Sequence, residues 1–397
     1  MISGTNSRPL GGAGSEEAPK GSDGVIRVML VDDSAVIRGL FTRALEADPE
    51  LQVVASVGDG KMALNALKRQ KVDVIILDIE MPVMDGLTAL PLLQEIAPSV
   101  PIIMASTLTR KNAEVSLRAL RSGAKDYVTK PSTTSELTSA QAFREELIAK
   151  IKALAGPARS PRQEMPGIPR RFTNSDGTQT AGERTSMVRV NRSGPITLRP
   201  QTTETPDVIA IGSSTGGPQA LFAVLGNLPK TLRQPILITQ HMPATFTTIL
   251  AEHLARVTER PCTEARDGEP VQAGHIYVAP GDFHMTVEVS NGQKVLRVQK
   301  TPPENFCRPA VDPMLRSLSA AYGRKLLVII LTGMGQDGML GAQVVVQNGG
   351  MVIGQDEASS VVWGMPGAVA HAGVCSAILP LPDIGPFIHK IALRSVA

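Results

Sequence analysis

Ser214, His241 and Asp337 are the side-chain types that nucleophilic acyl chemistry uses: a hydroxyl to attack, an imidazole to take its proton and a carboxylate to orient the imidazole. Each follows an apolar run. Val208–Ile211 leads into Gly212-Ser213-Ser214-Thr215-Gly216-Gly217-Pro218, Pro235–Gln240 into His241-Met242-Pro243, and Leu326–Leu331 into Thr332-Gly333-Met334-Gly335-Gln336-Asp337-Gly338. The glycines permit a tight strand-to-helix turn, and Pro218 suits a first helical position. A hydroxyl placed there faces backbone N–H groups and the positive end of a helix, which together stabilise an oxyanion.

Taken singly, each residue has a plainer role: Ser214 or Asp337 as a helix cap, His241 as a packed strand-end histidine. Their joint position at three strand ends favours catalysis. The chain order Ser…His…Asp differs from that of α/β-hydrolases, and no G-x-S-x-G elbow surrounds the serine. One rival reading exists. Gly333 to Gly338 spells G-x-G-x-x-G, and Asp356 lies 18 residues beyond, as in dinucleotide-binding turns. Against it, Asp337 would set a carboxylate beside a pyrophosphate, and the motif comes late in its domain instead of opening it.

The N-terminal half carries a second constellation. Asp32-Asp33, Asp78, Ser106 and Lys130 stand at or near the ends of apolar runs, and open α/β sheets gather such ends at one edge. Three close carboxylates repel one another unless a cation joins them, and hard oxygen ligands suit Mg²⁺. Asp78 is then a carboxylate nucleophile for a phosphoryl group, with the metal and Lys130 neutralising its charge and Ser106 bonding its oxygens.

Positioning these groups requires two α/β domains. The chain has 397 residues, more than the ~250–300 at which one core stops growing. Runs at Val25–Val31, Leu51–Val57, Val74–Leu77, Ile102–Ala105 and Lys125–Val128 alternate with helical spacing, predicting a doubly wound parallel sheet. The rhythm resumes at Val208 and predicts a second α/β sheet with a mixed edge, where a hairpin turns at Asn291-Gly292. Between them, residues 157–206 hold seven prolines, ten apolar residues, and eight Arg against four acids. Such a segment buries too little to offset its ordering entropy and reads as a flexible linker. It carries +4, so the remainder of a chain whose net charge is +3 sums to −1, which argues against a nucleic-acid surface. Residues 1–24 read as a disordered tail without the apolar stretch of a signal peptide. No apolar run approaches the ~18 residues of a membrane span, and three widely spaced cysteines suggest neither a disulfide framework nor a zinc site. Direct membrane insertion is not expected.

Two resemblances follow from these motifs. With its Asp-Asp pair, Asp78 in Leu77-Asp78-Ile79-Glu80-Met81-Pro82, and Lys130-Pro131, residues 25–150 resemble a response-regulator receiver domain. The resemblance implies a flavodoxin-like fold, Asp78 as phospho-acceptor, Asp32 and Asp33 holding Mg²⁺ with Asp78, and Ser106 and Lys130 reading the phosphoryl group. Residues 207–397 resemble the catalytic domain of the chemotaxis protein-glutamate methylesterase (CheB) family through Ile211-Gly212-x-Ser214-Thr215-Gly216-Gly217, Gln240-His241-Met242-Pro243, Tyr277-Val278-Ala279-Pro280-Gly281, Arg308-Pro309-Ala310-Val311-Asp312 and the Leu331–Gly338 motif. This implies a Rossmann-like α/β domain with a β-hairpin and no cofactor, Ser214 as nucleophile, His241 as base, Asp337 as its partner, and backbone N–H groups near Thr215 and Met334 as oxyanion donors. It further implies a cytoplasmic, phosphorylation-regulated hydrolase. Such an enzyme demethylates glutamate γ-methyl esters of methyl-accepting chemotaxis receptors, deamidates receptor glutamines, and takes its phosphoryl group from a chemotaxis histidine kinase. Position 213 departs from the family's small apolar residue, leaving two adjacent serines. The linker and leader are also long for the family.

Overall fold

The computed structural model describes residues 24–130, 137–155 and 195–393. In the first half β1 (Ile26–Val31), α1 (Ala35–Glu46), β2 (Leu51–Val57), α2 (Gly60–Leu67), β3 (Val74–Asp78), α3 (Gly86–Ile96), β4 (Ile102–Ser106), α4 (Arg110–Arg121), β5 (Asp126–Thr129) and α5 (Leu137–Ala155) follow one another. The strands form one parallel sheet in the order β2-β1-β3-β4-β5. Every residue of β3 and β4 is buried, as a sheet covered by helices on both faces requires. The order reverses between β1 and β3, so Asp32, Asp33 and Asp78 meet at the switch point where such sheets bind ligands.

In the second half come β6 (Val208–Ser213), α6 (Gly217–Gly226), β7 (Ile236–Gln240), α7 (Ala244–Thr258), β8 (Cys262–Glu264), β9 (Ile276–Val278), β10 (His284–Ser290), β11 (Gln293–Gln299) and α8 (Val311–Tyr322). They are followed by β12 (Leu326–Ile330), α9 (Met339–Gln347), β13 (Met351–Gln355), α10 (Met365–His371), β14 (Ala377–Leu379) and α11 (Leu381–Ala392). Seven strands pair in the order β14-β13-β12-β6-β7-β9-β8, all in parallel. The expected mixed edge is therefore corrected. Hairpin β10–β11 is a separate two-stranded sheet, because Met285, Val287 and Leu296 bury against Val311, Met314, Leu315 and Leu318 of α8 and leave the main sheet's edge unused. Here too the order reverses at the centre, between β6 and β12, and Ser214 and the Asp337 loop flank that point.

The two halves share one apolar cluster, which runs from Ala113, Leu117 and Leu120 on α4 to Leu221, Phe246, Leu250 and Leu254 on α6 and α7. The tail predicted over residues 1–24 falls almost wholly outside the described residues, as does most of the predicted linker. Its last residues lie on the second domain: Arg199 N–H donates to Cys375 O (2.8 Å), Ser376 Oγ to Pro200 O (3.3 Å) and Gln234 Nε2 to Pro206 O (3.2 Å).

Candidate active site and phosphoryl-acceptor site

Ser213 closes β6 and Ser214 opens the turn into α6. The Ser213 side chain is fully buried and donates to Gln240 Oε1 at 2.7 Å, so its hydroxyl is committed inside the fold. Ser214 is partly exposed, and among the described residues only its backbone is tied down: its N–H donates to Thr332 O (3.1 Å), while Gln240 Nε2 donates to its carbonyl (2.9 Å). Gly216 takes φ +75° at the start of α6, and a Cβ there would strike Val361 at 2.6 Å, so the turn needs glycine. A Cβ on Gly333 would lie 2.9 Å from Ser214 Cβ, which brings the β12 loop against the serine. Gly333 also bridges to Trp363. Among the described residues, no hydrogen bond occupies the N–H of Thr215 or of Met334, leaving both free to meet an oxyanion.

His241 follows β7, and its own N–H donates to Ser213 O (3.1 Å). Its ring Nε2 lies 2.8 Å from Asp337 Oδ2. Asp337 is buried and accepts from the N–H groups of Val311 (2.6 Å), Asp312 (3.1 Å) and Gly338 (2.9 Å), and from Asn305 Nδ2 (2.9 Å). Burial pushes the Asp337 carboxyl up, but the His241 contact and these amides prevail and hold it below the usual carboxylate range. Asp312, buried next to Asp337, is pushed up to about 6 by burial and by that neighbouring charge. The carboxylate at position 337 thus sits on the N-terminus of α8 and faces His241. That use, with Asp356 Oδ1 accepting from Ser359 N–H (3.0 Å) and Oγ, leaves no dinucleotide role for the glycine-rich loop.

Sequence reasoning missed Cys307. Its Sγ stands 3.4 Å from His241 Nδ1, across the ring from Asp337. Burial lowers the affinity of His241 for a proton, but Asp337 and Cys307 outweigh it and the ring is pushed up to about 10. No hydrogen bond joins Ser214 Oγ to His241 among the described residues. Cys307 faces the ring nitrogen that the serine would need, so the relay is assembled at Asp337–His241 and open at the serine. A lone cysteine inside a loop gives no periodic or spacing signal, which is why sequence reasoning passed over it.

At the other site, Asp32, Asp33 and Asp78 each offer a carboxylate oxygen, all within 4.8 Å of one another. That hard, three-oxygen donor set fits a divalent cation such as Mg²⁺. Lys130 Nζ lies 2.7 Å from both Asp32 and Asp78. Burial pushes Asp78 up to about 6, against the pull of Lys130. Ser106 Oγ donates to Thr107 O (3.1 Å) and Asn112 O (3.4 Å), which connects the end of β4 to the first turn of α4. The structure thus gathers the predicted carboxylates and lysine and sets the serine at the root of α4.

That helix faces the other domain, and the contact reaches the candidate active site. Thr215 Oγ1 donates to Asp126 Oδ2 at 2.8 Å, and Gln219 Nε2 donates to Ala124 O at 2.6 Å. Tyr127 stacks on Phe246 with ring centroids 4.3 Å apart. Arg121 lies over Phe222, and Arg110 pairs with Glu252. Asp126 is in turn bound by the buried Lys150, which also bonds Glu146 and Tyr127 O.

A family model described as CheB methylesterase matches residues 209–388, and one described as Response regulator receiver domain matches residues 28–142. Over 383 residues the chain is 60% identical to protein-glutamate methylesterase/protein-glutamine glutaminase 1 of Paramagnetospirillum magneticum, spanning 95% of this chain and 99% of that protein. It is 61% identical to the protein-glutamate methylesterase/protein-glutamine glutaminase of group 2 operon of Rhodospirillum centenum, over 96% and 97% of the two chains. The protein-glutamate methylesterase/protein-glutamine glutaminase of Azospirillum brasilense is 57% identical over 98% of each chain.

Proposed function

The chain belongs to the CheB methylesterase family with an N-terminal response-regulator receiver, and from that premise we propose a mechanism in which Ser214, His241 and Asp337 carry the hydrolysis. The chain is a receiver-regulated protein-glutamate methylesterase/protein-glutamine glutaminase. Ser214 Oγ attacks the γ-carbonyl of a methylated receptor glutamate, and His241 takes the hydroxyl proton. The oxyanion accepts from the Thr215 and Met334 N–H groups. The intermediate collapses as His241 returns the proton to the leaving methoxide, and methanol departs. Water, deprotonated by His241, then releases the glutamate carboxylate and restores Ser214. A receptor glutamine presents the same acyl group, and ammonia leaves in place of methanol.

The observation that carries this reading is the pairing of buried Asp337 with half-buried His241 at 2.8 Å, beside a partly exposed Ser214. The Ser213 hydroxyl, spent on Gln240, supports Ser214 over its neighbour. On methylated receptor, Ser214→Ala lowers methanol release by at least ~10³-fold, whereas Ser213→Ala keeps most of it. The reverse result sinks the assignment.

Regulation runs through Asp78, which accepts the phosphoryl group of a chemotaxis histidine kinase. Mg²⁺ held by Asp32, Asp33 and Asp78 would neutralise charge on that group; Lys130 reads its oxygens, and Ser106 turns from the Thr107 and Asn112 carbonyls towards it. Because Asp126 of β5 holds Thr215 and α4 packs against α6 and α7, loosening them frees the site. The methyl-accepting chemotaxis receptors and the chemotaxis histidine kinase are the partners, and the cytoplasm is where both are met. Residues 25–150 act as the receiver and 207–397 as the catalytic domain, joined by the 157–206 tether.

A further inference from the structure

Residues Glu304 to Cys307 form a tight turn outside every motif discussed above. Glu304 N–H donates to Cys307 O (3.1 Å) and Cys307 N–H to Glu304 O (2.8 Å), closing an isolated antiparallel bridge. Both central residues take positive φ: Asn305 at +52° and Phe306 at +63°. Asn-Gly is the pair such turns favour, and Asn305 conforms. Phe306 does not; a bulky residue in this region is a strained choice where glycine would fit.

The turn cannot relax, because side chains on either side are engaged. Glu304 pairs with Arg316 on α8 (2.6 Å), and Arg308 bonds Thr301 O (3.0 Å) and Asp282 (3.0 Å). Inside the turn, Asn305 Nδ2 donates to Asp337 and to Asp312, each at 2.9 Å, and Cys307 Sγ meets His241 Nδ1. Phe306 therefore stands between two residues that touch the members of the Asp337–His241 pair. Its own side chain is 96% exposed with the receiver in place. The internal contacts hold the strained turn in place, and what the strain achieves is to present the Phe306 ring to solvent beside the Asp337–His241 pair.

We infer that Phe306 is a substrate-specificity residue: an aromatic anchor that packs on an apolar side chain of the receptor helix next to the glutamate being hydrolysed. This rests on the methylesterase reading above. The anchor position follows from continuity with the site, since an ester carbonyl reaching Ser214 arrives beside His241 and hence beside this turn. Because the receiver leaves Phe306 uncovered, the contact serves the unphosphorylated and phosphorylated enzyme alike.

The test uses the full-length protein activated by a small acyl phosphate, with methylated receptor in membranes and p-nitrophenyl acetate as substrates. Phe306→Gly raises KM for the receptor ester about ten-fold or more. It leaves kcat and p-nitrophenyl acetate hydrolysis unchanged and does not lower Tm; Phe306→Tyr keeps the wild-type KM. An unchanged receptor KM in Phe306→Gly overturns the anchor, as does a fall in Tm with parallel loss on both substrates. If the wild-type protein hydrolyses p-nitrophenyl acetate but not the receptor ester, the methylesterase reading itself falls, and the anchor falls with it.

Discussion

The Thr215 hydroxyl donates to the Asp126 carboxylate across 2.8 Å, joining the residue after Ser214 to the last strand of the receiver. Both groups are buried. Opening the seam breaks a charge-assisted bond, of a kind worth about 1.5–3 kcal/mol. Thr215→Val keeps the backbone N–H and removes only this donor. Basal ester hydrolysis by the unphosphorylated protein is expected to rise about ten-fold, with little change once a phosphodonor is supplied. Initial rates with and without the phosphodonor check it.

His241 meets Cys307 on Nδ1 and Asp337 on Nε2, and both contacts favour its charged form. A general base must be neutral to accept a proton. Replacing Cys307 with Ala removes one contact that raises the ring's pKa, so the neutral form gains population and the rising limb of kcat against pH moves to lower pH. Hydrolysis of a small ester near pH 7 should increase about three-fold or more. A pH–rate profile that does not move, or moves to higher pH, contradicts this.

His253 on α7 is 4% exposed, and neither ring nitrogen has a hydrogen-bond partner among the described residues. Facing it are Glu114 and Arg121 of α4 and Glu252 and Arg256 of its own helix. Burial, reinforced by the arginines, depresses its pKa below 6.5 in the closed seam. A base depressed in the closed state binds more protons when the seam opens, so falling pH destabilises closure. The ratio of unphosphorylated to phosphorylated activity should climb between about pH 7 and pH 5.5. In His253→Phe that ratio should stay flat.

Removing divalent metal separates the two sites. Chelation, or Asp33→Asn, is expected to abolish phosphodonor stimulation while leaving basal small-ester hydrolysis within about two-fold, because no residue of the carboxylate cluster touches the Ser214 turn. Radiolabel transfer to Asp78 and ester hydrolysis, measured on the same samples, give the two readouts.

The strand-end residues were legible because a parallel sheet brings distant chain ends to one edge; period and punctuation alone predict where Ser214, His241 and Asp337 gather. The contacts that adjust them were not. Asp126 reads as one more residue of a short strand, and its partner Thr215 lies 89 positions away in the other domain. Cys307 and Asn305 sit in a turn whose shape depends on α8 and Asp337, so no local pattern announces them. Alternation predicts the hairpin itself but sets it on a sheet edge, whereas it forms a sheet of its own. Alternation gives the two faces of a strand but not which neighbour covers them. Strand β8, only three residues long, is too short to carry a period.

Trp363 is the sole tryptophan of the chain. It bridges Gly333, the residue before Met334, and its indole N–H donates to Gln355 O at 3.0 Å. The protein therefore has an intrinsic fluorophore wired to the loop that carries the Met334 N–H, which no hydrogen bond occupies among the described residues. Emission from this one ring reports that loop without a label, so opening of the site after phosphoryl transfer can be timed optically and compared with the onset of turnover.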